Sequence, residues 1–360
     1  MTQAAPFTYK PQLDALRAMA AVAVMAEHFP RDEILSWQVF QLGYLGLSGV
    51  LLFFVLSGYL ITGILISSRS SRFQTALKRF YIRRTLRIFP IYQMTLLILF
   101  LMGLSSVTDY ILWHAFYISN VLFVLKPNVA APIAHLWTLS VEEQFYLIWP
   151  LLMLVVPYRH LLRVILWAIV IGLGWKALVI ETLGDSLAGG LWVFSCLDSL
   201  ALGALLAYVE QDERLLPKKP KILFGLLAAG SVMTALQAVL FITDSAPGLR
   251  LVMAYLGPSL VFTWLVGRAA IGFTGWFGAV LDWRPLRYLG KISYGVYLYH
   301  YFMPRVLQSL IANLGFDQPG DLAKTLLAFL LTLLAAALSW HLIEKPISHL
   351  KDRLSERAQS

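Results

Sequence analysis

Cysteine is all but missing: Cys196 stands alone in a chain of 360 residues. It falls inside an apolar run, so there is neither a disulfide framework nor a thiolate metal site, and no metal is expected. Charge is scarce as well, at 14% of residues against about 25% in an ordinary soluble domain. With 59% hydrophobic residues and a mean hydropathy of +0.70, a water-soluble globule is excluded and a polytopic membrane protein expected. The N-terminus has no small-residue cleavage pattern, and Glu27 and His28 interrupt the place where the apolar core of a signal peptide would end; an uncleaved first span is expected. The net charge of +9 does not point to nucleic acid, because the basic residues cluster in short loops between apolar runs, where membrane topology accounts for them.

Apolar runs of spanning length occur ten times, at roughly 12–30, 43–66, 87–104, 136–157, 161–180, 191–209, 221–242, 249–267, 288–312 and 322–343. This predicts an all-α, polytopic membrane helix bundle of about ten transmembrane helices. Segments 108–126 and 269–283 are expected to be interfacial or re-entrant pieces. The loop after the second run holds Arg69, Arg72, Lys78, Arg79, Arg83, Arg84 and Arg87, the largest basic cluster in the chain. Excess Lys and Arg marks cytoplasmic loops, which puts both termini inside, the C-terminal one with Lys345, Lys351 and Arg353. The loops then expected outside, 181–190, 243–248 and 313–320, carry Glu181, Asp185, Asp244 and Asp317 but no Lys or Arg.

The first span, LDALRAMAAVAVMAEHF, carries Asp14, Arg17, Glu27 and His28. An ionisable group inside a span costs about 2.5–3.5 kcal/mol on insertion scales, which makes it a candidate functional group. Eleven residues separate Arg17 from His28, so the two project from nearly one helix face about 16 Å apart. Snorkelling of Arg17 and wetting of His28 at a helix end are the bland alternatives. The stretch HLWTLSVEEQFYLIWP, from His135 to Pro150, sets Glu142 and Glu143 about two turns into the fourth span. Consecutive helical residues point about 100° apart, so one carboxylate is expected in a cavity and the other against a neighbouring helix or the backbone. Arg83, Arg84 and Arg87 lie at the mouth of the third span, where anionic lipid and a phosphate-bearing ligand are alternative readings. For Asp198, His300, His341 and Glu344 a helix-packing hydrogen bond is the plainer explanation of each. The glycine-rich run 43–63 permits close helix approach and lacks a phosphate-loop lysine. Gly184-Asp185-Ser186 lacks the strand-turn-helix setting of an esterase nucleophile.

Arginines at one mouth, a polar stripe along the first span and a histidine with carboxylates towards the other face suit transfer of a group across a membrane. A secondary transporter with a His/Glu proton relay is the alternative; it has no need of clustered arginines, whereas an acyl-CoA site does. Five blocks carry a resemblance: LDALRAMAAVAVMAEH with Arg17 and His28; GVLLFFVLSGYLIT at 49–62; FYIRRTLRIFPIY at 80–92; HLWTLSVEEQFYLIWP at 135–150; and ISYGVYLYH at 292–300 followed by IEKP at 343–346. In that order they resemble the membrane acyltransferase family 3, the O-antigen, peptidoglycan and related O-acyltransferases. The resemblance implies a single transmembrane acyltransferase domain over 1–360 in the cytoplasmic membrane. Its donor would be acyl-CoA, commonly acetyl-CoA, and its acceptor an extracytoplasmic or lipid-linked carbohydrate. It implies His28 as catalytic base, with Glu142 in the acidic motif as the second catalytic candidate, and Arg17, Arg84 and Arg87 as the donor site. Glu143, His135, Asp14 and His300 are expected along the substrate path. Many relatives have a basic residue just before the position of Asp198, where this chain has Ser195-Cys196-Leu197, which weakens a role for Asp198. Some carry a C-terminal esterase-like domain, which is not expected here.

Overall fold

The computed structural model describes residues 7–29, 45–130, 133–183, 190–317 and 319–348. Gly43, the Gly184-Asp185-Ser186 tripeptide, Lys351 and Arg353 lie outside them. Among the described residues the chain forms helices and no strand. It opens with α1 (Pro11–His28), α2 (Leu45–Ser67) and α3 (Phe73–Leu101), then makes three short helices, α4 (Ser105–Thr108), α5 (Ile111–Ala115) and α6 (Ser119–Leu125). Five long helices follow: α7 (Leu136–Val155), α8 (Tyr158–Leu183), α9 (Val193–Gln211), α10 (Lys219–Ile242) and α11 (Pro247–Ile271). The last part is more broken, with α12 (Gly275–Leu281), α13 (Arg284–Lys291), α14 (Ser293–Tyr299), α15 (Met303–Asn313) and α16 (Asp321–Ser339), which runs into a wide π-turn at Trp340–Glu344.

Among the described residues seven helices are long and apolar enough to cross a bilayer: α2, α3, α8, α9, α10, α11 and α16. α1 and α7, at 18 and 20 residues, have about the length a span needs. Their own polar groups, Asp14, Arg17 and Glu27 on one, Glu142 and Glu143 on the other, keep them out of that apolar class. Segment 108–126 folds as short helices, and 269–283 holds the end of α11 followed by the short α12. The run 288–312 differs from its expectation: it is not one helix but the pieces α13, α14 and α15. Pro304 sits at the start of α15. Its ring excludes the carbonyl four residues back, that of His300, and it has no N–H to give. α14 therefore ends at Tyr299 and the chain turns through His300, Tyr301 and Phe302 before restarting.

α1 is enclosed along most of its length, with Leu13, Leu16, Ala20, Ala21, Val24 and Met25 all buried. Its small side chains let neighbours approach to backbone contact, which is how membrane helices gain packing energy when lipid is as apolar as protein. Gly49 on α2 lies against the Ala20 carbonyl, and Gly290 on α13 against the Asp14 carbonyl. On the other side of α2, Gly58 meets the Leu200 carbonyl of α9 while Gly203 of α9 meets the Val55 carbonyl. The N-terminus of α1 is tied to the α11–α12 link: the Gln12 side chain donates to the Phe273 carbonyl at 3.1 Å and to Asp282 at 2.9 Å, and accepts from the Phe273 amide at 2.7 Å. The far end of α7 is capped by Arg69, which donates to the Met153 carbonyl and, at 2.7 Å, to that of Val156.

A methyl group at Gly58 or Gly203 would be driven into a backbone carbonyl, whereas one at Gly225 meets nothing. Gly58→Ala and Gly203→Ala should each cost about 1–3 kcal/mol by overpacking. A thermal melt of the detergent-solubilised protein should record both losses and no loss for Gly225→Ala.

Candidate active site

Five helices converge on one cavity. α1 supplies Arg17; α2 supplies Phe53 and Ser57; α3 supplies Arg84 and Arg87; α7 supplies Thr138 and Glu142; α14 supplies Tyr294 and Tyr297. The three guanidinium groups, scattered over 70 residues of sequence, line a single space.

Their charges are poorly compensated at close range. Arg17 and Arg84 each oppose the charge of Arg87. Asp14 and, less strongly, Glu142 act electrostatically on Arg17, Glu143 and Glu142 on Arg84, and Glu344 on Arg87. Yet the ion pairs among the described residues include none of the three arginines. Arg84 instead stacks over the Tyr146 ring, 3.8 Å from its centroid, a favourable site for a planar cation. Glu142 Oε1 accepts a 2.5 Å hydrogen bond from the Ser57 hydroxyl. Glu143, on the next side chain round the helix, does not line the cavity, and its Oε1 is buried without a hydrogen-bond partner, as is Arg84 Nε. A cavity lined by guanidinium groups without direct counter-ions is suited to an anionic ligand, phosphate above all.

Beyond the Tyr297–Thr138 wall three histidines gather. Tyr297 Oη lies 2.5 Å from the Thr138 hydroxyl, and the two are within hydrogen-bond reach of the His135 carbonyl, at 3.2 and 2.9 Å. On the far side of that wall, His300 has its ring centroid 5.5 Å from that of Tyr297 and 5.1 Å from those of both His28 and His135. Tyr301 packs at 4.8 Å from His28 and stacks on His135 at 5.1 Å. His135 Nε2 donates to the Leu298 carbonyl at 3.0 Å. The three histidines come from α1, the residue just before α7, and the turn after α14. Among the described residues no group of His, Cys, Asp and Glu is arranged to hold a metal ion.

The remaining sequence candidates lie elsewhere. Asp14 is buried, accepts from the Tyr9 hydroxyl and does not line the cavity. Arg83 does not line it either. Glu344 accepts from Ser339, which in turn accepts from Tyr299, and His341 bonds to the Tyr288 hydroxyl at 3.1 Å. Asp198, which lacks a basic neighbour in sequence, finds its cation on another helix: Lys176 of α8 lies 2.5 Å away, with both side chains buried and the ammonium over the Tyr255 ring. Ser57, Thr138, Tyr294 and Tyr297 were not singled out by sequence reasoning. A hydroxyl on a membrane helix carries no sign of which neighbour it faces.

Fold and site together define a multi-pass membrane protein with an anion-adapted cavity next to a histidine cluster. The chain belongs to the acyltransferase 3 family, described as "Acyltransferase domain", which matches residues 10–343. Among similar proteins are the peptidoglycan O-acetyltransferase OatA of Listeria monocytogenes, 30% identical over 94% of this chain and 56% of that protein, and the putative peptidoglycan O-acetyltransferase YrhL of Bacillus subtilis, 30% identical over 94% and 55%. A putative O-acetyltransferase of Staphylococcus aureus, SAS0844, is 27% identical over 94% and 57%. The chain thus spans about half the length of the curated relatives it matches. No solved structure matches it. Membership places the protein among acyltransferases of groups other than amino-acyl groups and gives the transporter alternative no support.

Removing one partner of the Lys176–Asp198 pair leaves a buried uncompensated charge, a loss of about 3–5 kcal/mol. Lys176→Met and Asp198→Asn should each lower the melting temperature sharply. The double variant should recover most of the loss, as a thermal melt of all four proteins would record.

Proposed function

We propose that the protein is an integral-membrane O-acyltransferase that moves an acyl group, acetyl in the first instance, from acyl-CoA to a hydroxyl of an extracytoplasmic or lipid-linked carbohydrate, with His28 as general base. The observation that carries this reading is the cavity lined by Arg17, Arg84 and Arg87, which shares the Tyr297–Thr138 wall with the His28 cluster. Guanidinium forks suit the phosphates of a CoA donor, and a histidine suits removal of a proton from an alcohol near neutral pH. The carbohydrate acceptor is suggested by relatives named for peptidoglycan O-acetylation. The seven apolar helices, together with α1, α7 and the broken segment α13–α15, make up ten passes of a cytoplasmic membrane protein with both termini inside. In that orientation the arginines face the cytoplasmic donor and His28 the outer acceptor.

The transfer balances without a further reactant. The acceptor oxygen attacks the thioester carbonyl carbon while its proton passes to the His28 imidazole. The new C–O ester bond forms, the C–S bond breaks, and the proton goes on to the departing thiolate. Glu142, held by Ser57, offsets part of the guanidinium charge in the cavity and is the second member of the catalytic machinery.

Single-turnover release of CoA from radiolabelled acetyl-CoA, by protein in nanodiscs with a crude lipid-linked glycan as acceptor, tests the reading. His28→Ala should reduce transfer of label to the glycan by about 10²–10⁴-fold, the worth of a general base, without reducing membrane insertion. Undiminished transfer would remove His28 from that role. Arg84→Ala and Arg87→Ala should each raise the donor KM about tenfold or more, the loss of a charge-assisted hydrogen bond. An unchanged donor KM would return these arginines to a purely topological role.

A further inference from the structure

Two backbone carbonyls fix where the protons sit in the histidine cluster. A carbonyl only accepts, so a ring nitrogen at hydrogen-bond distance from one must carry a proton. His300 Nδ1 lies 2.6 Å from the Tyr297 carbonyl, so the neutral ring has its lone pair on Nε2. His28 Nδ1 lies 3.0 Å from the Val24 carbonyl, one turn back along α1, and 3.1 Å from His300 Nε2. The Nδ1 proton of His28 therefore faces two acceptors, and the lone pair of the His28 ring is on Nε2. The chain of donors runs one way, from His28 to His300 to the main chain of α14.

We infer that His300 is a positioning residue, not a substrate ligand: its Nε2 accepts from His28 Nδ1–H, fixing the tautomer and ring orientation that leave His28 Nε2 as the basic atom. Both nitrogens of His300 are committed, one to Tyr297 and one to His28, so neither is left to bind an acceptor. When His28 takes up a proton on Nε2, the same bond becomes a charge-assisted one and stabilises the imidazolium. His135 does not take this part: its Nε2 is engaged by the Leu298 carbonyl, and its Nδ1 has no hydrogen-bond partner. The arrangement depends on the helix break: the turn that Pro304 imposes after Tyr299 carries His300 to the C-terminal end of α1. This inference rests on the reading of His28 as base, while the proton arrangement can be tested without it.

The full chain in nanodiscs, labelled with ¹⁵N-histidine and without substrate, gives the tautomer directly, the His28 resonances being assigned by their loss in His28→Ala. The expected spectrum has His28 Nδ1 protonated and Nε2 unprotonated; the opposite tautomer would overturn the inference. In the transfer assay His300→Leu should reduce kcat about 10–100-fold, the worth of one hydrogen bond to a charged group, with the donor KM unchanged and the His28 Nδ1 signal shifted towards a weaker bond. His300→Gln, whose amide oxygen can accept, should restore kcat to within severalfold and keep the Nδ1 proton. A His300→Leu protein with wild-type kcat would sink the proposal, and so would a folded His300→Gln protein in which the His28 proton has moved to Nε2. Full turnover by His28→Ala would instead defeat the base assignment, leaving the tautomer spectrum to stand or fall by itself.

Discussion

Holding three guanidinium groups of like charge inside a helix bundle is the constraint on which much of this structure depends. Arg17 and Arg84 are half-buried and Arg87 exposed; withdrawing such charge from water even in part is costly, and repulsion between the three adds to the cost. Direct ion pairs would neutralise them but would also occupy the N–H groups. The protein takes an intermediate course, placing Asp14, Glu142, Glu143 and Glu344 where they act on the arginines through space and the Tyr146 ring beneath Arg84. Adjacent glutamates on α7 then make physical sense: their 100° separation puts one carboxylate on the cavity and the other behind it, on Arg84.

That demand explains the shape of the first helix. α1 carries Arg17 into the bundle and His28 to the other end of the same stripe, and its alanines and valines let α2 and α13 close round it at the Gly49 and Gly290 contacts. Larger residues there would widen the bundle and admit water or lipid to the charges. A second ionic element, Lys176 with Asp198, is solved differently, by direct pairing under Tyr255. Within one molecule a pair fully matched with its partner is structural, while the arginines lacking such partners surround a cavity.

The division into an arginine cavity and a histidine cluster has one shared wall, Tyr297 against Thr138. Both residues also lie within hydrogen-bond reach of the His135 carbonyl, which ties the wall to the start of α7. α7 in turn is held at its far end by Arg69 from the turn after α2. The helix that presents Glu142 is thereby anchored at both ends, as a site needing fixed geometry requires.

The sequence by itself determined the class of structure and the polar stripe. Twenty-residue apolar runs have few choices other than membrane helices, because lipid leaves backbone groups no other partners. The 3.6-residue period alone sets Arg17 and His28 on one face, and the ordered blocks identify the family. What the sequence left open was decided by tertiary structure. Among the prolines in the long apolar runs, Pro90, Pro150 and Pro258 stay inside helices, while Pro304 starts a new one. A membrane helix tolerates proline wherever neighbours satisfy the freed carbonyl, so only the packed bundle shows which one breaks the chain and turns His300 towards His28. The same holds for Ser57 against Glu142 and Lys176 against Asp198. Pairings between helices depend on rotation and depth, which local propensity does not encode, and they were fixed when the small residues of α1, α2 and α9 settled the distances between axes.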